Sequence, residues 1–193
     1  PVWLVGLRQT AGRGRRGRAW ETASGNLAAT FLFSSDRPLA EIAQLSFVAA
    51  LAAADVIDRY VPPSLVSLKW PNDPMVAGVK TGGILLESGQ VQGWPAWVAV
   101  GIGINLAYSP QQSERPATNL AAHRPGGAPN VLEAVEHLRD AFQRWLTTWA
   151  REGFEPIAQA WTRRAHGLGE PCVARLTDET VEGVAEGLDP DGA

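Results

Sequence analysis

Residues 9–20 read QTAGRGRRGRAW, with Arg13, Arg15, Arg16 and Arg18 set among Gly12, Gly14 and Gly17. In water, neighbouring cations about 7 Å apart repel by only about 0.6 kcal/mol, and less in salt, so a solvated loop tolerates the crowding. The arrangement becomes useful when an anion arrives. Glycine lets backbone N–H groups approach a ligand closely, and guanidinium forks match carboxylate and phosphate oxygens in pairs. A loop that orders over an anionic ligand is one reading. A solvated basic turn and an arginine-rich stretch held by nucleic acid are the others. Gly12, Gly14 and Gly17 also satisfy G-x-G-x-x-G, which marks a dinucleotide site only between a strand and a helix. The apolar run 2–7 reads as a strand, but Thr22, Ser24, Gly25 and Asn26 form a turn-like segment where the helix would have to start.

Outward from this stretch, the composition narrows the class. The chain has 193 residues, 45% of them hydrophobic, with eight tryptophans, which fits one principal domain with a sizeable core and a small appendage. No run approaches the eighteen or so uninterrupted apolar residues of a membrane span, so no membrane partner is expected. The net charge of −3 argues against a general nucleic-acid binder and makes the basic cluster a local feature with a specific anion. The single Cys172 leaves no internal disulfide or cysteine-based zinc site, which suits a reducing compartment, and His123, His137 and His166 show no metal-ligand spacing. Of seventeen Lys and Arg residues, only Lys69 and Lys80 are lysine.

Residues 26–33 read as a buried strand behind the basic loop. The helical spacing of Ile42, Leu45, Ala49, Ala52 and Val56 predicts a core-packed helix over 39–60, stopped by Pro62 and Pro63. A short strand over 65–70 should end in the turn Pro71-Asn72-Asp73-Pro74. The runs 79–88 and 96–106 read as an antiparallel pair. Gly82, Gly83, Gly101 and Gly103 lie within them and mark either close approach to a ligand or tight packing. Residues 108–129 read as a long loop of the kind that often serves as a lid. Asn130 and Glu133 form a capping box opening a helix whose apolar stripe is Leu132, Val135, Leu138, Phe142, Trp145, Leu146 and Trp149. A further helix is expected over 155–166. Short strand-like runs at 172–176 and 180–186, split by Asp178 and Glu179, read as the opening hairpin of a small β-domain.

Three stretches together, QTAGRGRRGRAW at 9–20, LKWPND at 68–73 followed by KTGGILLE at 80–87, and VGIGINL at 100–106, resemble in order and spacing the signature of biotin protein ligases. The resemblance implies an α+β fold of the class II aminoacyl-tRNA synthetase-like kind, with a mixed, largely antiparallel sheet flanked by helices. Residues 1–168 would form the catalytic domain and 169–193 the start of an SH3-like C-terminal domain. The implied enzyme makes biotinoyl-5′-AMP from biotin and MgATP in the cytoplasm. It then passes the biotinoyl group to one lysine of the biotin carboxyl carrier protein of acetyl-CoA carboxylase or a related carboxylase.

By the same resemblance, Gln9 and the loop Gly12, Arg13, Gly14, Arg15, Arg16 and Arg18 close over biotin and the adenylate phosphate. Arg13 and Arg15 are the principal contacts, and Trp20 anchors the far end. Lys80 is the catalytic lysine, with Arg15 beside it in catalysis. Gly83 admits biotin to the strand backbone, Asn105 meets the adenine, and Asn72 and Asp73 lie near the triphosphate, with Asp73 a ligand of Mg²⁺. The family's Ser-Thr-Asn segment, upstream of the basic loop, has no counterpart ahead of Gln9. Without a DNA-binding N-terminal domain in this sequence, no repressor role is expected. Residues 108–129 hold Tyr108 as their one aromatic. Lipoate ligases share the fold, but their motif ends in His and is not matched. Val79 stands where a P-loop would need glycine.

Overall fold

The computed structural model describes residues 1–110, 116–175, 179–189 and 192. Its centre is the helical stretch LAEIAQLSFVAALAAADVI, which breaks at Gln44 into α1 (Leu39–Ala43) and α2 (Leu45–Ile57). Apart from Ser46 and Asp55, every residue of α2 is buried, because its composition leaves no polar face. Small alanines on all sides let other elements close in. The break is held by tertiary contact: the Gln44 Oε1 accepts a 2.8 Å hydrogen bond from Trp149 Nε1. By length and composition 39–57 could cross a membrane, yet 67% of its most apolar window is buried against the rest of the protein. It is the core helix of this fold.

A four-stranded antiparallel sheet covers α2 on one side, in the order β1 (Val2–Val5), β2 (Leu27–Ser35), β7 (Ala96–Ile104), β6 (Gly82–Gly89). Successive side chains of a strand alternate between faces. Phe31, Val98, Val100, Ile102 and Ile84 therefore enter the core. Gly83, Leu85 and Glu87 of β6, with Ala99, Gly101 and Gly103 of β7, face a groove on the other side. A second sheet holds β3 (Val66–Lys69), β4 (Asp73–Val76) and β5 (Val79–Lys80).

Two expectations are corrected here. Asp73 and Pro74 open strand β4, so the turn closes at Asn72, with Lys69 opposite Asp73 across a tight hairpin that contains a cis Trp70-Pro71 bond. The run 79–88 is two strands in two sheets. Thr81, fully buried between them, donates its N–H to Pro74 and its carbonyl accepts from Asn105 N–H.

Helix α3 (Val131–Glu152) packs across α2. Asn130 Oδ1 accepts from the N–H groups of Leu132 and Glu133, as a cap should. The Glu133 carboxylate lies 3.4 Å from His137 Nε2. The predicted stripe is narrower than expected. Leu138, Phe142 and Trp149 are buried, but on the first turn Val131 and Ala134 face the core while Leu132 lies beside that face and is exposed. Helix α4 (Glu155–Thr162) is shorter than predicted because Ala165 leaves the helix to bridge Leu68 in parallel, extending the second sheet. A 3-10 turn at Leu120–His123 breaks up the long loop, part of which, 111–115, lies outside the described residues. The tail forms the expected hairpin, β8 (Pro171–Arg175) with β9 (Thr180–Val184), while Leu176 and Asp178 lie outside the described residues.

Candidate active site

The groove, about 2000 Å³, runs over the open face of the four-stranded sheet. The basic loop forms one wall, the hairpin 69–73 and Lys80 the other, and the tail hairpin one end, through Cys172 to Ala174 and Val184 to Leu188. Every site residue expected from the sequence lines it except Gly12. Gly12 lies behind the wall, where an added Cβ would overlap the Trp20 carbonyl and touch Gln9 Oε1 at 3.0 Å. Glycine is required there by space.

The loop is a closed, ladder-like turn. Trp20 N–H donates to the Gly12 carbonyl (2.9 Å), Gly14 N–H to the Arg18 carbonyl (2.7 Å), and Gln9 bridges Thr22, whose hydroxyl donates to Gln9 Oε1 at 2.6 Å. Arg16 and Gly17 turn the tip in the left-handed region, with φ of 59° and 70°. Arg13 reaches across to Glu87 at 3.3 Å. Partial burial, reinforced by Arg16 and then Arg18, holds the Arg15 pKa below its ordinary value, while Asp73 opposes the shift. The Arg15 charge is thus disfavoured by its surroundings, and an anion beside it would relieve that penalty.

On the opposite wall Lys80 Nζ lies 2.5 Å from Asp73 Oδ1, and 5.7 Å from the centroid of the Trp20 ring. Asn72 Nδ2 donates to the Ile84 carbonyl at 2.6 Å, and the Asn72 carbonyl accepts from Ile84 N–H, so the hairpin is stitched to β6 beside Gly83. Asn105 is buried, its amide donating to the Thr118 carbonyl at 3.1 Å. The structure commits that side chain to the protein's own backbone.

Sequence reasoning missed Asn26. Its Oδ1 accepts from three backbone N–H groups, those of Leu106, Ala107 and Tyr108, each at 3.0 Å, and its Nδ2 donates to the Tyr108 carbonyl. One buried amide thereby joins the end of the basic-loop segment to the chain leaving β7. The groove position of Glu87 was missed too, since it has no local signal.

An arginine-rich loop faces Lys80 across an open antiparallel sheet, an arrangement suited to an enzyme that grips an anionic ligand between two walls. Comparison with known proteins makes this specific. The model of the Biotin/lipoate A/B protein ligase family matches residues 2–105, and that of the biotin protein ligase C-terminal domain matches 167–193. The chain belongs to the biotin/lipoate protein ligase family. It is 41% identical to the biotin--[acetyl-CoA-carboxylase] ligase of Paracoccus denitrificans, over the whole of this chain and 82% of that one. It is 31% identical to a bifunctional ligase/repressor of Bacillus subtilis, covering 98% of this chain but only 59% of that protein. Among solved structures, the Aquifex aeolicus biotin protein ligase in complex with biotin and ATP superposes with a TM-score of 0.82 at 28% identity, covering 98% of this chain and 79% of that one.

Proposed function

We propose that this protein is a biotin protein ligase that activates biotin with ATP and transfers it to a lysine of a carboxyl carrier protein. The observation that carries the reading is the facing of the Arg13 to Arg18 loop and the Lys80–Asp73 pair across one groove, in a chain 41% identical to a ligase of this activity. In the first half-reaction a biotin carboxylate oxygen attacks the α-phosphorus of ATP in line. The bond to the bridging oxygen breaks, and pyrophosphate leaves with the electron pair. Two anions must meet for this to happen. Lys80 holds the carboxylate and the α-phosphoryl oxygen together, and Arg13 and Arg15 meet the charge growing on the equatorial oxygens. In the second, a carrier lysine amine attacks the mixed-anhydride carbonyl, loses its proton, and AMP departs.

In this reading Gln9, Gly12, Gly14, Arg16, Arg18 and Trp20 shape the closing loop, Gly83 admits biotin, and Asn72 orders the strand beneath it. Asn105 meets the adenine, its amide held by the Thr118 carbonyl. Among the described residues no group of three or more His, Cys, Asp and Glu is poised for a metal. Mg²⁺ is commonly bound by one or two carboxylates plus substrate phosphates, and Asp73 beside a triphosphate fits that donor set. The ion would neutralise phosphate charge. Residues 1–168 form the catalytic unit, and 169–193 belong to the C-terminal domain, whose hairpin walls one end of the groove. The carrier belongs to acetyl-CoA carboxylase or a related carboxylase, and the cytoplasm is the compartment.

The test is product analysis. With MgATP, AMP and pyrophosphate should accumulate only when biotin is present, and lipoate should not replace it. Biotin-dependent release of ADP would sink the adenylation mechanism, and equal turnover with lipoate would sink the substrate assignment.

A further inference from the structure

Gly83 and Gly103 are directly opposed partners in the β6–β7 ladder, so the groove floor has a patch without side chains two strands wide. The Trp20 indole lies on that patch. A Cβ at Gly103 would come within 2.8 Å of Cζ2 and 2.9 Å of Cε2 and Nε1, and one at Gly83 within 3.3 Å of Cζ3. Spacings under 3 Å are not ordinary contact, so even alanine at Gly103 must displace the ring. From this seat the indole touches both walls. Its backbone closes the ladder of the arginine loop through Gly12, and the Lys80 ammonium stands over its ring.

We propose that the opposed Gly83–Gly103 pair is a socket for Trp20, and that the seated indole is the positioning element holding the arginine loop against the Lys80 wall. Trp20 and Gly103 are then positioning residues: they act through the loop and Lys80 and not on the reacting atoms. Gly103 is needed for the shape of the ring it receives, and Gly83 borders that ring while its strand backbone stays open to biotin. A loop without this seat keeps its arginines but loses their register with Lys80.

The inference rests on the adenylation reading for its catalytic consequence, so its test has one arm without substrate. The loop's four arginines make trypsin a direct reporter. In ligand-free protein, Trp20→Ala and Gly103→Ala should each raise the rate of cleavage after Arg13 to Arg18, identified by fragment mass. The expected increase is roughly fivefold to thirtyfold, the range for losing a cation–π and ring contact. Gly103→Ala added to Trp20→Ala should cost nothing more, since the displaced ring is already gone. In the second arm, the single variants should release biotinoyl-adenylate faster by a similar factor with thermal midpoints close to the parent's. Additive effects of the two substitutions on cleavage, or cleavage unchanged by Trp20→Ala, would overturn the socket. Should Gly103→Ala not fold, Trp20→Ala and Trp20→Phe decide: the smaller ring should restore part of the protection. A parent that makes no adenylate would sink the functional reading while leaving the cleavage result standing.

Discussion

Replacing Lys80 with methionine should slow biotinoyl-adenylate formation by about a hundredfold to a thousandfold, the usual cost of removing one preorganised donor from developing charge. Methionine keeps most of the side-chain length and apolar volume, so the fold should persist. The substitution deletes the cation that stands 2.5 Å from Asp73 and over the Trp20 ring. What remains is a carboxylate, Asp73, facing two further anions. Lys69, the one other lysine, lies opposite Asp73 in the β3–β4 register and lines the same groove wall, where it is exposed. Single-turnover formation of adenylate, measured beside a thermal melt, checks this. A folded variant within about threefold of the parent rate, a barrier change well below 1 kcal/mol, would strip Lys80 of its role.

Arg15→Gly should separate the two half-reactions. Arg15 has its charge disfavoured by partial burial and by Arg16 and Arg18, so a phosphate beside it gains from both the contact and the relief of repulsion. Losing a charge-assisted hydrogen bond costs roughly 1.5 to 3 kcal/mol. That is about tenfold to a hundredfold faster escape of the finished adenylate. The released mixed anhydride acylates any exposed amine. Mixed with biotin, MgATP and albumin, the variant should label albumin at the expense of the carrier. Rapid dialysis should show the adenylate leaving. Unchanged retention with unchanged carrier selectivity would mean that Arg15 does not hold the intermediate.

Much of the fold was legible because its strongest signals are local: the apolar helix of 39–57, the Asn130 cap, and the antiparallel β6–β7 pair. The errors share one cause. Pro71-Asn72-Asp73-Pro74 has turn composition throughout, and only pairing with Lys69 and Leu68 draws Asp73 and Pro74 into a strand. The run 79–88 is uninterrupted as sequence, and the partners of Thr81 on both sides divide it. Leu132 fits the helical stripe, but the packed face of the first turn of α3 runs through Val131 and Ala134 and leaves Leu132 to one side. The site followed the same division. The arginine loop was visible because charge and glycine stand out together, while Lys80 was picked out by the resemblance of its motif to that of biotin protein ligases. Asn26, Glu87 and the tail hairpin belong to the site only through distant contacts. Asn105 lines the groove, while the direction of its side chain depends on Thr118, 13 residues away.

The buried crossing at Thr81 also sets how the site should behave in deuterium exchange. The amides of Thr81, Asn105 and Thr118 bond to Pro74, Thr81 and Lys80, tying both sheets and the 116–118 segment into one closed set around the lysine backbone. Thr81 and Asn105 are buried, so their amides should exchange only in openings close to global unfolding in free energy. The arginine loop has only a few rungs, at Gly14, Arg18 and Trp20, and should exchange orders of magnitude sooner. Biotin and ATP should slow the loop and leave the Thr81 set unchanged. The lysine then sits on backbone whose rigidity is independent of substrate, and the free energy of closure is confined to the dozen residues on the other wall.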